Sequence, residues 1–125
     1  MKLRPLPKTY LLTKPWEYQN VYKAGKRLRG DQFSLIYVVN GKKENRLGIS
    51  VHGVKRAVRR NRIKRIIREF YRLNRDFLGS GVDIVFAVRG GFALDSLHEV
   101  EQAVFNLVKK SSFQEDRAGL RRPLD

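Results

Sequence analysis

The sequence contains no cysteine, which excludes disulfides and thiolate metal sites and fits a reducing compartment such as the cytoplasm. No stretch is long and apolar enough to span a bilayer, and Met1 to Lys8 carries charges and prolines where a signal peptide would be apolar. Histidine is scarce. His52 and His98 lie far apart, and neither stands in a zinc-binding spacing. There is no glycine-rich phosphate loop followed by Lys-Ser/Thr, and Ser80 and Ser96 lack a nucleophile motif. Acids are few, and Glu17, Glu69 and Glu99 each have a role available at a helix terminus or in an ion pair. These absences leave no combination of residues expected to hold a metal or to do covalent chemistry.

What is abundant is positive charge. Lys and Arg number 27 against 12 Asp and Glu, a net charge of +15 on 125 residues. A chain of this length is one domain with a modest core. Such a charge opposes compaction by self-repulsion and is best explained by a polyanionic partner. Nucleic acid is the first candidate, an anionic membrane the second and an acidic protein the third.

No internal repeat or low-complexity block interrupts the chain. Lys2 to Leu12, with Pro5 and Pro7, reads as extended or irregular. Thr13 is placed to cap a short helix with Pro15 in its first turn and Gly25 past its end, and Tyr18, Val21 and Tyr22 share one face. A strand over Lys26 to Arg29 is weakly signalled. Phe33 to Val39 reads as a strand, Asn40-Gly41 to Asn45 as a turn, and Leu47, Ile49 and Val51 alternate with Gly48 and Ser50 as a second strand, so a hairpin is expected. After a helix over Lys55 to Arg75, Val82 to Val88 is a near-continuous apolar strand suited to cover on both faces. Asp95, Ser96 and Glu99 open a last helix with Leu97, Val100, Val104, Leu107 and Val108 facing the core. The fold class expected is α+β, a single domain over residues 1–112 with a flexible basic tail over 113–125.

The central helix carries the functional signal. Between residues 55 and 75 stand ten Lys or Arg and one acid, Glu69. Ile63, Ile66, Ile67 and Phe70 form its apolar stripe, with Asn61, Lys64, Arg65, Arg68 and Arg72 opposite. A merely solvated face mixes signs, because like charges four residues apart destabilise a helix by a few tenths of a kcal/mol. Lys64, Arg65, Arg68 and Arg72 stack like on like, as a phosphate-binding surface would. Arg56, Arg59 and Arg60 fall on the apolar side of the wheel. Unpaired charges cannot be buried, so this end of the helix is expected to project past the core, leaving Arg59 to Arg62 at the rim.

The run Ala57-Val58-Arg59-Arg60-Asn61-Arg62-Ile63-Lys64-Arg65-Ile66-Ile67-Arg68-Glu69 resembles the signature of the bacterial ribonuclease P protein family. The preceding Arg46-Leu47-Gly48-Ile49-Ser50-Val51 is similar to the same family, as is Tyr18-Gln19-Asn20-Val21-Tyr22-Lys23-Ala24-Gly25. The resemblance runs from about Leu11 to Lys110. It implies an α/β sandwich: a central, mainly antiparallel sheet packed by three helices, with a left-handed crossover into the basic helix. It implies an RNA-binding subunit of a ribozyme that removes the 5′ leader from precursor tRNA. By the same resemblance Arg59, Arg60, Asn61, Arg62, Lys64, Arg65 and Arg68 meet the catalytic RNA, and Tyr18, Tyr22, Ser50 and Arg89 meet the single-stranded leader. Hydrolysis falls to Mg2+ held mainly by the RNA, with no catalytic residue, metal site or organic cofactor in the protein and no membrane partner.

Several positions depart from the family pattern. Tyr18 and Tyr22 stand where phenylalanine is common, and each hydroxyl needs a partner. His52-Gly53 and Gly90-Gly91 replace residues that are often basic, and Ile36 stands where the family has an aromatic on the leader side. The residues alone leave Tyr18 and Tyr22 open to plain core packing; the resemblance implies a partly exposed stacking platform with Val21 turned inward. A ribosomal or other structural RNA-binding protein remains the alternative. A metal nuclease would need clustered carboxylates, and a membrane-surface role would need an apolar stripe that the strands require as core.

Overall fold

The computed structural model describes residues 7–117, with side chains at residue 7 and over 9–110. After a 3-10 turn at Lys8–Tyr10 come α1 (Pro15–Ala24), β1 (Lys26–Arg29), β2 (Phe33–Val39), β3 (Arg46–Val51), α2 (Ala57–Leu73), β4 (Val82–Val88) and α3 (Leu97–Arg117). The helix α3 runs past the boundary expected after residue 112. Residues 1–6 of the irregular N-terminal stretch and 118–125 of the expected tail lie outside the described residues.

The four strands form one sheet in the order β1-β2-β4-β3. Both β1–β2 and β2–β4 are antiparallel, whereas β3–β4 is parallel and joined through α2. The expected hairpin between β2 and β3 is therefore wrong: β4 inserts between them. The apolar run of β4 is the reason. Every residue from Val82 to Phe86 is buried, including Ile84 and Val85 on opposite faces, so this strand needs a neighbour on each edge and cover on each side.

Alternation divides the sheet's side chains between two cores. Leu28, Phe33, Leu35, Leu47, Ile84, Phe86 and Val88 face α2 and α3, meeting Ile63, Ile67, Phe70, Tyr71, Val100 and Val104. On the other face a smaller cluster of Leu12, Val21, Ile36 and Val85 lies under α1. Ile36, fully buried there, is a core residue and not an exposed contact. The result is an α+β sandwich with one helix above the sheet and two below.

Local chemistry sets the helix ends, not always as expected. The cap of α1 is Lys14 and not Thr13. Glu17 supplies it by accepting the Thr13 and Lys14 backbone N–H groups at 2.8 and 2.9 Å. The Lys14 bond, with that of Thr13 and the Arg46 charge, holds the Glu17 carboxyl below its ordinary range despite some desolvation. At α3, Ser96 Oγ accepts from Glu99 N and Glu99 Oε1 accepts from Asp95 N. Asn45, read as part of a charged turn, is buried: its amide donates to the carbonyls of Arg75 and Gly79 and its oxygen accepts from Val82 N.

Candidate nucleic-acid interfaces

Two surfaces gather the residues singled out above. The first is the outward face of α2. Asn61, Arg65 and Arg68 are exposed and Lys64 is half-buried. The salt bridges among the described residues reach Arg59, Arg62 and Arg72 on this helix, and leave Lys64, Arg65 and Arg68 without a carboxylate. The rim arginines are less free than the sequence suggests. Arg60 Nη1 donates to the carbonyls of Val54 and Lys55, both at 2.8 Å, and so holds the entry into α2. Arg59 and Arg62 converge on Asp95 at 3.1 and 2.8 Å, and Arg59 also reaches the Phe92 carbonyl. The Arg62 bond, then the Arg59 bond, keep the Asp95 carboxyl below its ordinary range, and the Asp95 bond raises Arg62 in turn. Composition gives no sign of Asp95 as their common partner, because the contact spans more than thirty residues of sequence.

The second surface is a groove on the α1 side of the sheet. Register places Ser50 beside Ala87, Ala87 beside Ser34, and Ser34 beside Arg29, a row of small side chains ending in a cation. Tyr22 walls one side. Its hydroxyl donates to Ser50 Oγ at 3.0 Å, and the Arg27 guanidinium lies 5.9 Å from its ring centroid while donating to its backbone carbonyl. Arg89 stands at the far rim, with Nη1 bonded to Ser34 Oγ at 3.0 Å and Nη2 bonded to the Gly30 carbonyl. The four residues expected in the groove thus lie on one face, with Arg27 and Arg29 as cations missed in the sequence because β1 is so short.

Tyr18 is the exception within that set. Its ring is pressed onto Gly48: a Cβ there would lie 2.7 Å from a ring carbon and 2.9 Å from Leu12. Its hydroxyl accepts from the Ile49 N–H at 3.2 Å, covering the free edge of β3. Burial pushes the Tyr18 phenol up, with the bond from the Ile49 N–H and then the Arg68 charge working against that shift. Tyr18 is therefore chiefly a packing residue, Tyr22 the more available ring. Gly48→Ala should cost about 1–3 kcal/mol in chemical denaturation by overpacking this contact; a stability equal to wild type would mean that the ring is loosely held.

Just past the ends of β3 and β4 two loop backbones are in contact. Gly53 has φ +79°, and a Cβ on Gly90 would stand 2.9 Å from the Gly53 carbonyl oxygen. One on Gly53 would stand 3.2 Å from Gly90 Cα. The two departures from the family's basic pattern are thus a single feature.

Among the described residues no three His, Cys, Asp or Glu side chains come together where they could hold a metal ion, and no helix is long and apolar enough to cross a membrane. The arrangement offers cations, a stacking ring and hydroxyls, which suit binding of a flexible polyanion.

Comparison with known proteins finds relatives along most of the chain. The sequence profile described as Ribonuclease P matches residues 6–112. A ribonuclease P protein component from Desulfotalea psychrophila is 57% identical over 103 residues, covering 82% of this chain and 86% of its own. One from Clostridium kluyveri is 41% identical over 105 residues, covering 82% and 94%. Among solved structures, the Staphylococcus aureus RNase P protein superposes with a TM-score of 0.69 at 27% identity, covering 82% of this chain and 94% of that one. The Thermotoga maritima RNase P protein gives 0.66 at 29% identity, covering 86% and 97%. With a profile match across the folded region and relatives at these identities, the chain belongs to the ribonuclease P protein family.

Proposed function

We propose that this chain is the RNA-binding subunit of a ribonuclease P ribozyme, working in the cytoplasm on precursor tRNA. In this reading α2 binds the catalytic RNA and the groove beside α1 binds the single-stranded 5′ leader, so that the assembly's endonucleolytic cut releases the mature tRNA 5′ end. The observation that carries it is the row Lys64, Arg65 and Arg68, without a carboxylate partner among the described residues, on one helix face of a chain with net charge +15. Mg2+ held mainly by the RNA supplies the hydrolysis. The protein's residues bind and position: α2 cations meet phosphates, Tyr22 offers a face to an unpaired base, and Ser50 and Arg89 contact the strand along the floor.

The test is reconstitution. Protein with Mg2+ alone should leave precursor tRNA uncut, and cleavage at the mature 5′ end should require the RNA subunit. Cleavage that follows an RNA-free protein preparation would overturn the division of labour. Specific binding to another structural RNA, with no effect on leader removal, would favour a scaffolding role instead.

Asp95 supplies a second expectation with an unusual sign. Its carboxylate occupies Arg59 and Arg62 as a phosphate would. Asp95→Asn frees both guanidinia and leaves the Ser96 cap in place. Affinity for the catalytic RNA should rise about threefold to tenfold, and the slope of log affinity against log salt should steepen by about 0.7–0.9 for each further phosphate neutralised. Weaker binding would mean that Asp95 holds the two arginines in their productive orientation.

A further inference from the structure

The groove floor does not end at β2. The row Ser50, Ala87, Ser34 is completed by Arg29 at the β1 end, and Arg29 also lines a cavity on the far side of the turn between β1 and β2. That cavity, of about 290 Å³, lies between the turn and α3, with Phe33, Leu107, Asn106 and Lys110 among its walls. The same turn is fastened from the groove side, where Arg89 bonds the Gly30 carbonyl and Ser34 Oγ. Groove and cavity are thus separated by one short turn, with Arg29 at their boundary.

We propose that this cavity takes one unpaired nucleotide of the leader, lying farther from the cleavage site than those on the groove floor. The inference rests on the reading of the groove as the leader site. Size and chemistry both limit the occupant. The volume is at the bottom of the range for small-molecule sites, enough for a single base and little more. Phe33 and Leu107 provide apolar wall for a base face, and the Asn106 amide offers a donor and an acceptor to a base edge. Arg29 and Lys110 supply the charge for its phosphate. Asp31 is the one carboxylate of the lining, so the cavity remains net positive. Across the floor the strand travels three strand spacings, roughly 14 Å at about 4.8 Å each. A leader of only a few nucleotides would therefore not reach the cavity, and a longer one would.

Length dependence gives the test. Holoenzyme affinity is measured for precursors whose leaders grow one nucleotide at a time, with wild type, Tyr22→Ala and the double variant Asn106→Ala/Lys110→Ala. Asn106 and Lys110 are exposed, so the double variant should fold normally. It should match wild type on mature tRNA and short leaders, then lose about fivefold to tenfold only once the leader is long enough to pass the β1–β2 turn, the loss expected for about one base contact. Tyr22→Ala should lose affinity already at shorter leaders. A double variant that keeps the full benefit of long leaders, while Tyr22→Ala loses its own, overturns the cavity alone. No loss in either variant overturns the groove reading with it. An equal loss on mature tRNA and on every leader would assign the cavity to the catalytic RNA and overturn the proposal too.

Discussion

Holoenzyme carrying Tyr22→Ala is expected to bind long-leader precursor about 5- to 150-fold more weakly than wild type, with mature tRNA bound as before. The range is that of one stacked base, about 1–3 kcal/mol. The low end is favoured because the flexible leader must be ordered as it binds, and because Arg27 already lies over the ring. Tyr22→Phe keeps the π face and releases only Ser50, so its effect on leader binding should be mild. Tyr18 should behave differently. Tyr18→Phe leaves the Ile49 N–H without its partner, a loss of about 1–3 kcal/mol that reads out in unfolding rather than in leader discrimination. If Tyr22→Ala folds normally and keeps the full wild-type preference for precursor over mature tRNA, the groove does not hold the leader by stacking.

Removing the three outward-facing α2 cations that bond neither a carboxylate nor a carbonyl among the described residues, as Lys64→Ala/Arg65→Ala/Arg68→Ala, should weaken binding to the catalytic RNA on the order of 100-fold at moderate salt. At about 1 kcal/mol or more per charge-assisted contact, three losses reach that size. Counterion release adds a signature that folding defects do not produce: the slope of log affinity against log salt should fall by about 0.7–0.9 per phosphate released, roughly two units in all. Arg60 and Arg62 are poorer choices, because Arg60 holds the Val54 and Lys55 carbonyls and Arg62 is shared with Asp95. The triple variant should unfold at close to the wild-type temperature. An unchanged slope together with unchanged affinity would remove this face from the RNA interface.

Periodic features were legible in the sequence, and pairings were not. The stripe Ile63, Ile67 and Phe70 and the run Val82 to Val88 announce a helix and a strand because burial imposes their spacing residue by residue. Strand order is different. Nothing between Val39 and Arg46 reveals that β4 will come between β2 and β3, since the partner arrives more than thirty residues later. The site divides the same way. Tyr22, Ser50 and Arg89 could be placed together by resemblance; in the structure Tyr22 bonds Ser50, and Arg89 bonds Ser34 in the same row of side chains. The roles of Asp95, Arg60 and Asn45 depend on long-range contacts or on a side chain folding back, which no spacing encodes. Tyr18 was ambiguous for a related reason: the same i, i+4 spacing serves an exposed platform and a packed face, and only Gly48 beneath the ring decides between them.

The Gly53–Gly90 contact has a consequence for how this surface can change over generations. A side chain at Gly90 would strike the Gly53 carbonyl, and one at Gly53 would have to tolerate a left-handed backbone. Restoring a basic residue at either place therefore passes through a strained intermediate unless the neighbouring loop shifts as well. The two positions should be inherited as a unit, glycine with glycine, and lineages that carry lysine or arginine there should have reached it by rebuilding both loops together. Selection for a more basic groove in this chain has an easier route through positions outside that contact, such as His52, which is exposed just before it.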